Sequence, residues 1–516
     1  MDYIKAVPAT VTSNETSASS RAEISPSKGR AAAWIATATL TGAIVMAMEL
    51  TTFRLYAPYF GNSIYVWGSM ISVVMVALAV GYALGGWLAD RKPLDAVLYG
   101  IVLGSGLYQL AIVFVVRTVL LKLWTFGDFA GPVLATLLIF GPPMTALAMT
   151  SPFVIRLLVR AGHVGVTVGS VFALSTAGSI AGVLGTSFWL VPRFGTRVTL
   201  EILCGASIVI GVAGLAMGRR QALLLAPLII IPFLSANPKP PASIIWNGES
   251  VYNRILVFED KGLRWLVLND PRFFQTIVKV GSADSGFYLD EFALGPVIVP
   301  AKKLVVLGLG AGRSVLVSKA VAPDLEIEAV EIDPEVVRIA HRFFDFPVAD
   351  AKVQVRIADA RPWLAQYPEK ADLIHADLFQ GGPYVPFYLT TVEFFELVQS
   401  RLNDSGVLIL NVYDPGPNKD LLQAMGGTLG RVFPSIEMVS REDGNHILFA
   451  FKQPHALSET VARLNQYPGV PWVQELAKQA AAKVRDFPPA ANATVFTDDL
   501  APVEKMTHRM LREAKK

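Results

Sequence analysis

The chain has 516 residues, 53% of them apolar and only 17% charged, with a formal net charge of +3. Ordinary soluble domains carry roughly 25% charged residues, so a wholly soluble protein is excluded. The small net charge, without any basic stripe, argues against a nucleic-acid partner.

Charge is sparse and clustered between Ala31 and Ala236 and of ordinary density from Asn247 onward. Residues 1–30, rich in Ser, Ala and Thr, read as a disordered tail. They do not read as a signal peptide, because the apolar stretch that follows is too long and lacks a cleavage site. A membrane crossing takes about 20 apolar residues, and six stretches within 31–236 supply it: 33–57, 63–89, 94–121, 131–158, 168–191 and 196–217. A seventh, QALLLAPLIIIPFLSA (221–236), is short and carries Pro227 and Pro232. GYALGG (81–86) and STAGSIAGVLG (175–185) suit close helix packing in lipid. The lone cysteine, Cys204, lies in an apolar run and has no disulfide partner in the chain.

Arg91 and Lys92 follow the second stretch, Arg156 and Arg160 close the fourth, and Arg219 and Arg220 follow the sixth. The positive-inside rule therefore places the N-terminus and the even-numbered exits in the cytoplasm, although Arg193 and Arg197 run against it. A seventh segment that crossed fully would put the soluble half outside. A re-entrant or interfacial segment is the expectation, with the soluble half in the cytoplasm. Glu49 and Arg54 lie in the first stretch, where charge is costly unless paired or facing a polar cavity. An ion pair that sets helix packing is expected, with a polar pathway as the alternative.

Residues 237–247, NPKPPASIIWN, read as a linker and 248–300 as a small β subdomain. From residue 301 to 516 the chain alternates strand and helix. KLVVLGLGAG (303–312) is a buried strand ending in a glycine turn, and EIEAVEID (326–333) is a second strand ending in acids. VQVRIAD (353–359), ADLIHAD (371–377), a helix near 390–402 and GVLILNVY (406–413) follow. This pattern predicts a doubly wound, Rossmann-like α/β domain that binds ligands at the carboxyl ends of its strands.

Gly308, Gly310 and Gly312 would let a ligand approach the backbone, next to a helix N-terminus. Glu331, about 20 residues beyond the turn, can take both ribose hydroxyls. Asp359, followed by Ala360, stands where it can accept from an adenine amino group. Together these residues point to an adenosyl ligand, and no His/Cys cluster points to a metal. Each acid has a plainer reading as a helix cap or a solvated strand end. His375 reads as a buried structural histidine, and 459–466 and 473–486 as amphipathic outer helices.

The region from GESVYN (248–253) to LILNVY (408–413), with VEIDPEVV (330–337) and ADLIHAD (371–377), resembles the spermidine synthase family of aminopropyltransferases. MELTTFRLYAPYFGNSIYVW (48–67), GYALGGWLADR (81–91) and FTDDLAPVE (496–504) are similar to bacterial membrane-fused spermidine synthase-like proteins. The resemblance implies a multi-pass protein of the bacterial inner membrane. Its soluble domain would be of the class I methyltransferase and spermidine synthase type, assembled as a homodimer in contact with membrane lipid. It further implies transfer of an aminopropyl group from decarboxylated S-adenosylmethionine to a small amine acceptor, without a metal. Asp377 would be the base, with Tyr288 and Asp284 beside it. Gln275 would match an upstream cofactor-binding glutamine, and Gln380, Tyr384 and Tyr388 would belong to the acceptor pocket or to a flap (383–389) above it.

Several positions depart from that family. Ala311 stands where its glycine turn carries an aspartate, and Gln380 where it carries another. Tyr252-Asn253 replaces Tyr-Gln, and Ser285, Leu289 and Asp290 replace Glu, His/Gln and Glu. Losing the acids at 311 and 380 makes the pocket less anionic. Methyl transfer from S-adenosylmethionine itself is therefore one alternative. A transporter or sensor with an adenosyl-binding soluble half is another.

Overall fold

The computed structural model describes residues 27–60, 64–123, 126–159, 164–218, 220–234, 242–347, 350–488, 490 and 492–514. The predicted tail falls outside these residues up to position 26, and the predicted linker falls outside them from 237 to 241.

Helices α1 (Lys28–Phe60), α2 (Ile64–Arg91) and α3 (Asp95–Leu123) match the first three apolar stretches. The fourth pass is α4 (Gly127–Ala135), a π-helical turn, α5 (Gly141–Ala148) and α6 (Thr150–Leu158). Then α7 (Val164–Gly185), a second π-helical turn and α8 (Val191–Gly218) form an apolar run of 55 residues. At 1.5 Å per residue such a run would be about 80 Å long, far beyond one bilayer. It is broken at Gly195, whose φ of 77° no helix contains.

Close contacts set the helix directions. Cβ atoms placed on Gly178 and Gly182 of α7 would strike Thr39 and Ala43 of α1, so these two helices run parallel. Gly106 meets Ile208, Gly211 meets Leu103 and Gly214 meets Tyr99, so α3 and α8 run antiparallel. Arg30 pairs with Asp95 at the starts of α1 and α3, and Arg156 with Asp90 (2.9 Å) at the ends of α6 and α2. All four therefore lie at one end of the bundle. The soluble half contacts the other end, through Arg54, Tyr65 and Thr196.

The seventh segment, expected to be re-entrant or interfacial, is described from residue 220 to 234, and its last two residues fall outside the described ones. Arg220–Ile229 and Ile231–Leu234 are 3₁₀-helical, and Leu228, Ile229 and Ile231 pack on Leu103, Cys204, Ile208 and Val212 of α3 and α8. A 3₁₀ helix rises about 2.0 Å per residue, so the ten residues of Arg220–Ile229 extend about 20 Å before the turn at Ile230.

The soluble half opens with an antiparallel sheet of β1 (Ile244–Glu249), β2 (Arg254–Asp260), β3 (Leu263–Leu268) and β4 (Thr276–Lys279). The expected linker thus ends inside β1. The main sheet comprises β5 (Lys303–Leu307), β6 (Glu326–Glu331), β7 (Val353–Ile357), β8 (Ala371–Ala376), β9 (Leu402–Tyr413), β10 (Ser435–Ser440), β11 (Asn445–Phe451) and β12 (Arg485–Asp486). Its order is β12-β10-β11-β9-β8-β5-β6-β7, with β9 through β7 parallel and the other pairs antiparallel. Val305, Val306 and Leu307 are buried on both faces, as an unbroken apolar run in an interior parallel strand requires. The helices Leu457–Gln466 and Pro471–Lys483 lay Leu464, Val473, Ala477 and Ala480 on the sheet.

The strand order reverses between β5 and β8, which run parallel, and ligands of doubly wound sheets bind outside the strand ends at that point. Gly308 follows β5 and Asp377 follows β8. A Cβ on Gly308 would lie 2.7 Å from the Asp377 carbonyl oxygen, so this glycine lets the two strand ends close on each other.

Candidate active site

The glycine turn serves the fold before any ligand. Gly308, Gly310 and Gly312 all have positive φ, and a Cβ on Gly312 would lie 2.2 Å from the Phe346 ring. Ala311 is buried in an apolar cluster with Ile255, Val257, Leu266, Leu268, Val336, Ile339 and Phe344. A carboxylate at that position would enter a hydrocarbon core with no partner, at a cost of several kcal/mol. The missing acid is therefore matched by its surroundings.

Glu331 ends β6 beneath the turn. Its Oε2 accepts the N–H groups of Leu309 (3.1 Å) and Gly310 (3.3 Å), and its Oε1 accepts that of Asp333 (3.1 Å). Burial raises its pKa to about 7, against the pull of those three N–H groups. A carboxylate at a strand end beside an open glycine turn suits a ribose diol. Asp359 caps the helix Ala360–Gln366, accepting the Arg361 N–H at 3.1 Å, and its Oδ2 accepts the Tyr388 hydroxyl at 2.9 Å. Ala360 is buried at the start of that helix. Tyr388 thus points to Asp359 and not over an acceptor pocket.

Asp377 is held at both oxygens. The Tyr288 hydroxyl donates to Oδ2 (3.0 Å) and the Asn411 amide to Oδ1 (3.1 Å). Burial lifts its pKa to about 6, opposed by these two donors, and Tyr288 is pushed well above the usual phenol range by burial and by Asp377. Asn411 also donates to Asn445 Oδ1 (3.1 Å). Sequence reasoning missed Asn411, although one amide inside the apolar run LILNVY was a usable signal.

Beside this group opens a cavity of about 950 Å³, lined by Phe273, Phe274, Phe287, Tyr413 and Trp472 together with Asp284, Glu291, Glu442 and Asp443. Tyr288 and Gln275 also line it. Gln275 Oε1 accepts the Leu268 N–H (2.6 Å), and its carbonyl accepts the Tyr288 hydroxyl (3.3 Å). Asp284 is held by Lys279 (2.8 Å) and Ser282 (2.7 Å), which keep its pKa low. It lies on the cavity wall, and Asp377 takes its side-chain donors from Tyr288 and Asn411. Gln380 is exposed, with its carbonyl on Asn269. Tyr384 packs on His508, ring centroids 5.2 Å apart. The structure therefore separates Gln380, Tyr384 and Tyr388 from the cavity they were expected to line, and leaves Gly382 and Pro383 of that loop there. His375 is buried against Phe292, and burial keeps it neutral with a pKa of about 3. Among the described residues no group of three or more His, Cys, Asp or Glu side chains could hold a metal.

Both raised acids bind their proton more tightly folded than unfolded. Their ionisation therefore costs stability above about pH 6–7, and the cost vanishes below the unfolded values near 4. A group that acts as a base must be ionised, so for any reaction that uses Asp377 as its base the sign is opposite: turnover is expected to fall about tenfold per pH unit below about pH 6. A rate profile measured from about pH 5 to 8 checks this, and a flat one would exclude Asp377 from that role.

The Spermine/spermidine synthase domain profile matches residues 300–441. A Bifidobacterium longum protein named probable polyamine aminopropyl transferase is 28% identical over 282 residues, 51% of this chain and 62% of that protein's length. The Vibrio vulnificus polyamine aminopropyltransferase is 26% identical over 255 residues, 48% of this chain and 80% of the relative. The Xenopus laevis eEF1A lysine and N-terminal methyltransferase is 30% identical over 190 residues, 33% of this chain and 27% of the relative. Among solved structures, a probable spermidine synthase from Corynebacterium glutamicum aligns at a TM-score of 0.40 with 21% identity, over 50% of this chain and 98% of that one.

The soluble half is thus a polyamine-aminopropyltransferase-like superfamily domain, with a partial likeness to methyltransferases, at low sequence identity. In this protein that domain is fused to a multi-pass bundle of apolar helices.

Proposed function

We propose that the soluble half transfers an aminopropyl group from decarboxylated S-adenosylmethionine to an amine acceptor, with Asp377 as the base. The observation that carries this reading is the half-buried Asp377, fixed by Tyr288 and Asn411 beside a cavity lined with aromatic rings and carboxylates. The donor's sulfonium supplies an electrophilic carbon. The acceptor nitrogen forms the new N–C bond as the C–S bond breaks and its electron pair stays on sulfur. Asp377 takes the proton that the nitrogen sheds. Aromatic faces and acids attract the cationic amine, and orientation accounts for most of the rest of such a displacement.

The test is side-by-side calorimetric binding of S-adenosylmethionine and its decarboxylated form to the purified full chain. At least a tenfold preference for the decarboxylated form, about 1.4 kcal/mol, is expected from the acids of the cavity. Equal binding, or the reverse preference, would replace aminopropyl transfer by methyl transfer, the reading that Ala311 favours.

A second reading is a sensor or transporter whose soluble half binds an adenosyl metabolite. The path of the seventh segment favours it. The soluble half lies at the end of the bundle away from Lys28, Arg30, Arg91 and Lys92, and an end so charged belongs in the cytoplasm. With Cys204 replaced by Ala, a Lys370→Cys chain and a Lys92→Cys chain can each be treated in spheroplasts with an impermeant maleimide. Labelling at 370 alone would place the soluble half outside, away from cytosolic donors, and support the sensor. Labelling at 92 alone would place it inside and support transfer, with the N-terminus outside.

A further inference from the structure

Arg54 does not form the expected ion pair with Glu49. It leaves α1 at the end facing the soluble half and donates Nη1 to the Val251 carbonyl (2.8 Å) and Nη2 to the Ser250 carbonyl (2.7 Å). The same turn is gripped from α8. Glu249 Oε2 accepts the N–H (2.9 Å) and the hydroxyl (2.8 Å) of Thr196, just past the break at Gly195. Two membrane helices therefore hold residues 249–251, one with a guanidinium fork and the other with a helix N-terminus that suits a carboxylate.

From that turn, hydrogen bonds lead directly to the candidate ribose acid. The Ser250 hydroxyl donates to Asp333 Oδ2 (2.5 Å), and the Asn253 amide donates to the same oxygen (2.9 Å). Asp333 is fully buried and caps the helix Pro334–Phe343 through the Glu335 N–H (3.0 Å). Its own N–H donates to Glu331 Oε1 (3.1 Å). Asn253 Oδ1 also accepts from Asn269, which donates in addition to the Gln380 carbonyl in the loop after Asp377 (2.8 and 3.2 Å). Asp333 is thus held in place by a turn that is itself held by the membrane bundle.

We infer that Arg54 is a positioning residue for the adenosyl site, fixing Glu331 through Ser250 and Asp333, so that the state of the membrane bundle sets donor affinity. This rests on reading Glu331 as the ribose acid. Arg54 touches no ligand. Its guanidinium satisfies two carbonyls that would otherwise let the 250–253 turn move, and with it the Asp333 side chain. Lysine, a single point charge on a flexible stem, cannot hold both carbonyls in the same fixed geometry.

The test uses the full chain in lipid nanodiscs with S-adenosylmethionine as the probe. Arg54→Ala and Ser250→Ala should each weaken binding about tenfold, an ordinary coupling between sites. The double variant should lose no more than either single one, because both cut one chain of contacts. Arg54→Lys should fall between Arg54→Ala and the parent. A structural role confined to the membrane would leave binding unchanged, and independent roles would make the losses additive. Either result overturns the inference.

Hydrogen exchange without ligand gives a second readout. Arg54→Ala should speed exchange at the Asp333 and Glu335 amides while leaving β10 and β11 unchanged, and unaltered exchange at 333 and 335 would overturn the link. If the parent binds no adenosyl compound, the functional reading fails, and the exchange result still decides whether Arg54 holds this turn.

Discussion

Replacing Asp377 by Asn should lower transfer by a factor of about 10² to 10⁴, the usual contribution of a positioned general base. The substitution is nearly isosteric, so the contacts from Tyr288 and Asn411 can largely re-form around the amide. Donor binding at Glu331 should be little changed, because the two groups end different strands. Product formation and calorimetric binding measured on the same preparation separate the two effects. A variant that binds donor and keeps full turnover would leave the fold standing and remove the proposed chemistry. A variant that loses both would show that Asp377 supports the glycine turn, whose Gly308 lies against its carbonyl. Residual activity in the Asn variant should also lack the acid limb near pH 6.

The largest stability effect is expected at Asp290. Arg313, at the start of the helix after the glycine turn, donates Nη2 to Asp290 Oδ1 (2.8 Å) and to the Ala283 carbonyl (2.6 Å). Asp290 Oδ2 accepts the N–H groups of Ser285 and Gly286, both at 2.7 Å. Both side chains of the pair are at least nine-tenths buried. Asp290→Ala leaves a guanidinium and two N–H groups buried without their acceptor, which should cost about 3–5 kcal/mol. Thermal unfolding of the detergent-purified protein, followed by tryptophan fluorescence, would register the loss. Arg313→Met in the same chain should restore part of it, since removing both charges is far less costly than stranding one. A single Asp290→Ala variant as stable as the parent would show the pair to be dispensable. The pair also holds residues 283–290 to the glycine turn, so loosening it should widen the cavity wall that carries Tyr288.

Legibility differed sharply between features of one strand end and features shared by several. KLVVLGLGAG and EIEAVEID were readable because an apolar run, a glycine turn and a terminal acid are local patterns, and their strands lie where the pattern put them. Six α-helical passes were readable for the same reason, since hydropathy is summed along the chain. β10, β11 and β12 were missed. Their partners lie outside their own windows, and ILFAF could equally have served a buried helix. Gln380, Tyr384 and Tyr388 were grouped by proximity in sequence, yet the loop sends them to Asn269, His508 and Asp359. Loop side chains have no period from which a direction could be read.

By itself, the sequence determined that one half lies in the membrane and the other is a doubly wound sheet, and it placed Glu331 and Asp377 at strand ends. These follow from hydropathy and spacing, which depend only on neighbouring residues. Tertiary structure decided the rest. It buried Ala311 in hydrocarbon, brought Asn411 from β9 and Tyr288 from the loop after β4 onto one carboxylate, and turned Arg54 from its neighbour Glu49 to a turn nearly 200 residues away. It also packed a short proline-bearing segment, as two 3₁₀ pieces, on α3 and the middle of α8. Each of these depends on contacts between residues distant in the chain, whose geometry is set only when the chain folds, and for Arg54 only when the two halves pack together.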